Sequence, residues 1–533
     1  MTPSVRSRAV LTGLACVGIA VLWGKVRLYG SLEYQLDVFS FLQMSRALLD
    51  GRLPLFENGW GRDAALHNYF TVPLLLPVSS LFGAPGLFGI LVAAFLAAPA
   101  ALVLLGRRFP PERRRALELV GAAFFFSPAA LWMVDDAPYG FHVELLIGPL
   151  AVVFAAGLLL RARWAWGVGA LLAMTREEGP LAALAVHATV AWAREWEAAR
   201  SSRRAFGAAL RAAAPWTGAF AVGLALLAVQ RIGEPAQSRA AGAVTALLRL
   251  PSRPDILSAL GRSAAVGVLL LASGAVVAVA GISLRPVVVA AAAALPLAGA
   301  AVVGGLASNY GAPGAVFFHG LSWAPRLAAL WGILAAALAA SVATSPTPFA
   351  GREREAARLG VAALALSLVL QTVILSEWRS WNAVTRWSPA RLRSGAGTLR
   401  ARLSAREDAA LRELARLLPP RTPLAATPAL GAAFDRHDLV WPDRALEAWV
   451  PPVVVVCDTE GRTFDDRGCV ALLARRQGEG WPGTSADGVA AASVPALSGI
   501  VEEAMRGLER PDALARSAAS GGTAETRSGN PNR

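Results

Sequence analysis

The sequence predicts a polytopic α-helical membrane protein of about 11 spans with a small C-terminal extracytoplasmic α/β domain. Three features point there: apolar runs of spanning length, arginines gathered beside them, and a change of pattern near residue 385. Of 533 residues, 55% are hydrophobic and 17% charged, with a mean hydropathy of +0.48. A soluble chain carries about 25% charged residues.

Apolar runs recur at 9–22, 85–106, 116–134, 145–160, 213–229, 264–284, 286–306, 323–342 and 358–376. Seven of these runs are 17–22 residues long, enough as helices rising 1.5 Å per residue to cross a hydrocarbon core about 30 Å thick, and 9–22 and 145–160 are 14 and 16 residues. Two shorter runs, 164–174 and 180–193, form either a tight pair of spans or a re-entrant hairpin, because the first covers only about 16 Å. The run at 9–22 follows a short positive stretch and reads as an uncleaved first span, since no small-residue cleavage pattern closes it.

The net charge is +14 and the pI about 11.0. The arginines sit in "RRFPPERRR" (107–115), "REWEAARSSRRAFGAALR" (194–211) and "GREREAARLG" (351–360), each next to an apolar run. Cytoplasmic loops retain such residues. The basic balance therefore points to anionic membrane lipid and not to nucleic acid. The topology that puts these loops inside gives a multi-pass protein of the cell inner membrane, with a cytoplasmic N-terminus and an extracytoplasmic C-terminal domain.

Three regions follow. Residues 1–384 form the multi-span part, with a long first outer loop at 30–84. Residues 385–510 form the α/β domain: "SAREDAALRELARLL" has helical period and is broken by Pro-Pro, while "TPLAATPAL", "HDLVWP" and "PPVVVVCDTEG" read as short strands. Residues 511–533 are small and polar, the composition of a disordered tail. Cys16, Cys457 and Cys469 form no metal-ligand cluster. The last two can pair if their compartment is oxidising.

Charged groups at a bilayer edge are costly and tend to line a cavity or substrate path. Three knots of them occur, in "LEYQLDVFSF", "DDAPYGFHVELL" and "AMTREEGP". The topology places Glu33, Asp37, His67, Asp135, Asp136, His142, Glu144, Glu177, Glu178 and His319 on one, outer, face. Convergence of acids and imidazoles there suggests a site. Plainer readings stand beside it. Leu36, Phe39, Leu42, Ala47 and Leu48 would lie largely along one face of an interfacial amphipathic helix. Asp135 and Asp136 can simply solvate a loop, and Arg176 can neutralise a neighbouring glutamate. His142 and Glu144, two residues apart, do not share a helix face. No Walker motif, Ser-His-Asp signature or HExxH pattern is present, so no cytosolic nucleotide drives the chain.

The stretches "YQLDVFSFLQMSRALLDGRLPL", "HNYFTVPLLLPVSSLFGAPGLF", "SPAALWMVDDAPYGFHVELLIGPLAV" and "GALLAMTREEGPLAAL" follow in order. Together they resemble the uncharacterised bacterial and archaeal membrane-protein family catalogued as domain of unknown function 2079. The matching positions are Asp37 with Gln43, His67 with Pro77, His142 with Glu144, and Arg176 with Glu177 and Glu178. Val38 departs from that family's usual Gly after the helix aspartate. The arrangement is more distantly similar to GT-C type glycosyltransferases, which use polyprenyl-phosphate sugars on the outer face and carry an acidic residue in the first outer loop.

That resemblance implies a sugar transferred from a polyprenyl phosphate to an envelope acceptor. A carboxylate at Asp37 can deprotonate an acceptor hydroxyl or hold a divalent cation against the lipid phosphate. Arg176 and His142 would stabilise the leaving phosphate. Asp37, His142, Glu144 and Glu177 are the catalytic candidates, and Glu33, Gln43, His67, Arg176, Glu178 and His319 the substrate-binding ones. No metal ligand set can be read. A non-catalytic transporter or an envelope assembly protein is the alternative. Catalysis needs the acids at the outer edge, whereas transport needs some near mid-membrane.

Overall fold

A computed structural model describes residues 5–34, 37–52, 54–59, 67, 69–125, 140–230, 285–307, 324–344, 389–395, 398–462 and 466–506. Asp135, Asp136, His319, the apolar runs 264–284 and 358–376, and the tail 511–533 lie outside the described residues. The chain divides into two compact units, one of residues 1–29, 36–57 and 63–394, the other of 30–35, 58–62 and 395–533.

The first unit is helical. Its helices are α1 (Val5–Gly30), α2 (Asp37–Arg46), α3 (Leu76–Gly106), α4 (Pro111–Phe125), α5 (Ile147–Leu159), α6 (Trp164–Met174), α7 (Gly179–Ala199), α8 (Ser202–Gln230), α9 (Arg285–Ala307) and α10 (Ala324–Thr344). Among the described residues, three helices are long and apolar enough to cross a membrane: Arg8–Gly30, Val72–Gly106 and Ser202–Val229. Shorter apolar helices accompany them, including the 11-residue α6, which at about 16 Å reaches half-way through a hydrocarbon core. The chain is a helical membrane protein. Outward-facing Ile19, Leu81, Phe82, Phe206 and Leu295 are all more than 60% exposed, which suits lipid and would be costly in water.

Phe154, Leu172, Val186, Trp216, Leu297 and Ile333 form one buried core drawn from α5 to α10. α3 kinks at Gly83, whose φ of 61° leaves the helical region, two residues before Pro85; the proline also removes a backbone donor there.

α2 departs from the expected interfacial helix. Phe39, Leu42 and Ala47 are buried as expected, but so are Val38, Phe41 and Met44, while Leu48 is exposed. The helix is embedded in its unit because its polar side chains find buried partners. Ser40 Oγ donates to Glu57 Oε1 at 2.7 Å, Ser45 Oγ to Ser79 Oγ at 2.7 Å, and Arg46 Nη2 to the Ser79 carbonyl at 2.9 Å.

The second unit is built on a five-stranded sheet in the order β2-β1-β3-β5-β4, from β1 (Pro423–Ala426), β2 (Asp438–Val440), β3 (Val454–Asp458), β4 (Gly483–Ala486) and β5 (Val489–Ser493). β2, β1 and β3 are parallel, and β5 is antiparallel to β3 and β4. Helices α11 (Ala405–Leu417), α12 (Asp466–Gly478) and α13 (Ser498–Arg506) accompany it. Val455, Val440, Leu472 and Leu473 fill its core, and a disulfide between Cys457 and Cys469 joins β3 to α12. Two pieces of the first loop belong to this unit. Asn58 exchanges two hydrogen bonds with the Val450 backbone, and the Trp441 amide donates to the Gly59 carbonyl.

Candidate functional site

Four segments of the first unit meet around Arg176. The first is the start of α2, which supplies Asp37. The second, His67 and Tyr69, precedes α3. The third, His142 to Glu144, opens α5, and the fourth is the turn Thr175–Glu178 between α6 and α7. Thr175 Oγ1 bonds back to the Leu171 carbonyl at 2.8 Å and closes α6. The Gly179 amide bonds to the Arg176 carbonyl at 2.9 Å. A Cβ on Gly179 would lie 2.1 Å from the Leu172 carbonyl oxygen, so the turn needs glycine there. The Thr71 amide donates to the Met174 carbonyl at 3.1 Å and ties the second segment to the fourth.

α3, α5 and α7 all begin at this cluster, and acids at helix N-termini are favoured by the unpaired amides and the helix dipole. Their far ends carry Arg107 and Arg108, Arg161 and Arg163, and Arg200, Arg203 and Arg204. The acid cluster and the basic loops therefore sit at opposite ends of the same helices.

Arg176 is 8% exposed and its guanidinium is shared among three carboxylates: Glu144 Oε1 at 2.7 Å from Nη1, Glu178 Oε2 at 3.0 Å from Nε, and Glu177 Oε1 at 3.4 Å from Nε. The Tyr69 hydroxyl donates to the same Glu144 oxygen at 2.9 Å. On one side His142 lies between two acids, with Nε2 3.3 Å from Asp37 Oδ2 and Nδ1 3.6 Å from Glu144 Oε2. On the other, His67 Nδ1 is 2.6 Å from Glu177 Oε1. Arg176 Nη2 is 3.2 Å from His67 Nδ1 and 3.0 Å from its Nε2. A nitrogen nearly equidistant from both ring nitrogens lies over the imidazole face, where a cation is attracted to the ring electrons. Phe41 packs edge-on against Tyr69, Phe141 and His142 and walls the cluster with aromatic rings.

The electrostatics follow from this crowding. Burial pushes the Asp37 carboxyl up to about 6, with His142 and Arg176 opposing the rise and Glu144 adding to it. Burial and the Arg176 charge push His67 down, so the imidazole is neutral at neutral pH. Burial works against ionising Glu177, but His67 and Arg176 outweigh it and hold the carboxyl well below its usual range. Burial and Glu144 hold the Tyr69 hydroxyl protonated far above its ordinary value. Burial likewise opposes the Arg176 charge, and the carboxylates of Glu178, Glu177 and Glu144 more than offset it.

Asp37, His67, His142, Glu144, Arg176, Glu177 and Glu178 are thus brought together. Glu33 is not part of this cluster: it belongs to the second unit, where its carboxylate accepts the Leu399 amide at 3.0 Å. Gln43 is half-buried on α2, six residues past Asp37. Nη1 and Nε of Arg176 face carboxylates and Nη2 faces His67, so this side chain organises the cluster. Among the described residues no group of three His, Cys, Asp or Glu side chains is arranged to hold a metal ion. The carboxylates face Arg176 and the imidazoles instead of converging on a common point, so this donor set does not fit the divalent cation that the GT-C resemblance allows. Tyr69, Phe41 and the Ser40–Glu57 pair carry no charge pattern that marks them in sequence; the signal for Tyr69 was its place two residues after His67 in "HNYF".

No protein-family model and no curated protein matches the chain, so the resemblance to domain of unknown function 2079 finds no matching model. Among solved structures, the crystal structure of ArnT from Cupriavidus metallidurans bound to undecaprenyl phosphate aligns with 93% of this chain and 99% of its own, at 15% identity and a TM-score of 0.45. A likeness of that size assigns no residue roles.

Proposed function

We propose that the chain is a GT-C-like membrane glycosyltransferase that moves a sugar from a polyprenyl phosphate to an envelope acceptor on the outer face of the inner membrane. One observation carries the reading: a buried cluster of acids and imidazoles, drawn from four separate segments, sits at one end of α3, α5 and α7, with arginines at the other end. Basic loops are retained in the cytoplasm. The acid end then faces the outer compartment, and the disulfide of the α/β domain suits an oxidising one. The acids lie at helix termini and not half-way along them, which favours catalysis over permeation.

In the reaction an acceptor hydroxyl oxygen attacks the anomeric carbon of the donor sugar. The bond from that carbon to the phosphate oxygen breaks, and its electron pair leaves on the polyprenyl phosphate. The excess of carboxylates over cations in the cluster suits the acceptor side, where a proton must be taken up. Asp37 is the leading carboxylate for that task, because a group titrating near 6 is ionised at neutral pH and still basic enough to accept a proton. His142 lies against Asp37, Glu144 lies against His142, and Arg176 and Tyr69 hold Glu144.

The test compares envelope glycans and polyprenyl-linked sugars in a deletion strain, its rescue by wild type, and its rescue by Asp37→Asn at equal membrane abundance. The reading expects the deletion to lose a glycan and accumulate a lipid-linked precursor, with Asp37→Asn failing to rescue. Full rescue by Asp37→Asn, or unchanged glycans in the deletion, would overturn it.

A further inference from the structure

Three helices of the first unit are short for a bilayer, and each is polar at both ends. α6 has 11 residues, so Arg163 and Thr175, which flank it, stand about 18 Å apart. Glu144 to Leu159 along α5 and its opening 3-10 turn is about 24 Å, and Gly179 to Arg194 within α7 about 22 Å. A hydrocarbon core is about 30 Å thick. Other helices of the unit do cover that distance: 23 residues run from Arg8 to Gly30 and 28 from Ser202 to Val229.

A short apolar stretch fits a thicker bilayer by snorkelling of its flanking side chains, by association, or by thinning the bilayer. Snorkelling is open to the basic end only, where Arg161 and Arg163 are exposed. At the acid end Arg176, Glu144 and Glu178 are each less than 10% exposed and turn inward to one another. The Met174 carbonyl there also accepts the Thr71 amide at 3.1 Å. Between the two ends α6 presents an apolar face, with Trp164, Trp166 and Leu171 exposed by 46, 53 and 38%. Trp164 and Trp166 lie beside the basic end, where tryptophan anchors a helix at the membrane interface.

We propose that the α6 face binds a locally thinned bilayer, about 20 Å of hydrocarbon against about 30 Å elsewhere, whose headgroup layer is drawn down to the level of the Arg176 cluster. Lipid chains cover the helix over its own length, and headgroups and water meet both its ends. The cluster then lies at the local membrane surface although it stands so close to the basic end. Under the transferase reading, a donor held by its lipid tail would reach the cluster beside α6 with its phosphate still in the headgroup layer. That consequence rests on the transferase reading, whereas the thinning rests on helix length, exposure and the polarity of the helix ends.

The experiment places a nitroxide at Gly167→Cys or Leu171→Cys in the full-length protein, reconstituted in dioleoyl phosphatidylcholine vesicles. Cys16→Ala removes the free cysteine, and Cys457 and Cys469 are held in their disulfide. Gly167 has open space where a side chain would begin, and Leu171 follows one turn later on the exposed face. The reference label is at Val222→Cys, 59% exposed on the long α8. Power-saturation EPR measures collision with a water-soluble nickel chelate. In a thinned bilayer each α6 label lies about 6 Å from one headgroup layer, so both are expected to meet nickel several-fold more often than Val222→Cys. In a bilayer of full thickness one of the two lies about 12 Å or more from water, whichever end of α6 is anchored. Nickel exposure at either α6 label as low as at Val222→Cys would overturn the proposal, whether full-thickness lipid or a second copy covers the helix. In thicker dierucoyl phosphatidylcholine the Val222→Cys label is expected to lose nickel exposure while both α6 labels keep theirs. Equal loss at all three would overturn it too. Trp166→Cys, one residue earlier, takes the place of Gly167→Cys if that variant does not fold. No sugar enters the measurement, so loss of the transferase reading through unchanged glycans would leave the thinning in place.

Discussion

Two arginines, Arg176 buried and Arg462 half-buried, anchor the two units of this molecule, and they do so in opposite ways. Arg462 in the α/β unit grips Glu407 with both terminal nitrogens, at 2.8 and 3.0 Å, and Asp458 through Nε at 3.0 Å. Its acids are further satisfied by backbone amides. Glu407 accepts from Ser404 at 2.5 Å and Gly488 at 2.8 Å, and Asp458 from Glu460 and Arg462. Burial opposes ionising Glu407, and Arg462 outweighs it. This is an arginine that holds a loop to a helix cap. Arg176 instead binds acids from two chain segments, which link onward to two imidazoles and to a carboxyl that titrates near 6. The difference teaches where function sits. Both hubs are buried ion clusters, but only the one around Arg176 keeps groups able to change charge near neutral pH.

The comparison breaks most visibly if each arginine is removed. Arg176→Met leaves Glu144, Glu177 and Glu178 buried without their cation and is expected to cost about 3–5 kcal/mol, seen as lost folded protein in detergent. Adding Glu144→Gln and Glu178→Gln should restore much of that stability without restoring function. Arg462→Met with Glu407→Gln and Asp458→Asn should restore both. A functional Arg176 triple variant would show the two hubs to be alike.

The α/β unit also leans on a covalent staple across 12 residues, between Cys457 and Cys469. Cys457→Ser is expected to lower its stability by about 3 kcal/mol, measured by denaturant unfolding of the full chain with and without reductant. Function per folded molecule should stay unchanged.

A third expectation concerns pH. Asp37 is raised from 3.8 to about 6. The folded protein therefore holds a proton that the unfolded chain has lost, and the stability this gives, full below about pH 4, is lost as pH rises through about 6. Activity runs the other way, because the carboxylate is needed: transfer should fall up to about tenfold per pH unit below 6 and level off above. Asp37→Asn should remove this step. An unchanged acid limb in a variant that retains measurable activity would assign it to another group.

The smallest effect is at a helix cap. Ser404 Oγ accepts the Glu407 amide at 3.1 Å in a capping box, and Ser404→Ala is expected to cost about 1 kcal/mol in the α/β unit alone.

Much of this architecture is legible in the sequence. Apolar periodless runs become helices at 85–106, 145–160 and 286–306 because composition and length alone decide a helix in lipid. The polar knots that hold Asp37, His142 and Glu177 are equally plain, since charge beside an apolar run is conspicuous. What sequence does not give is which polar groups meet. Glu33 and Asp37 are four residues apart, yet one accepts a backbone amide in the α/β unit and the other joins the cluster. That Arg176 faces Glu144 and His67, far from it in the chain, is likewise invisible in the sequence. Tyr69 and the Ser40–Glu57 pair stayed hidden because an uncharged side chain, or a carboxylate far from any knot, acquires its role only through tertiary contact.

The most direct measurement pairs Asp37→Asn with Arg462→Met in the deletion strain, following polyprenyl-linked sugars alongside the unfolding temperature of each purified protein. Asp37→Asn is expected to fold like wild type and fail to clear the lipid-linked precursor, while Arg462→Met is expected to be destabilised and to clear it in proportion to the folded protein present. Clearance by Asp37→Asn at the wild-type rate would contradict it.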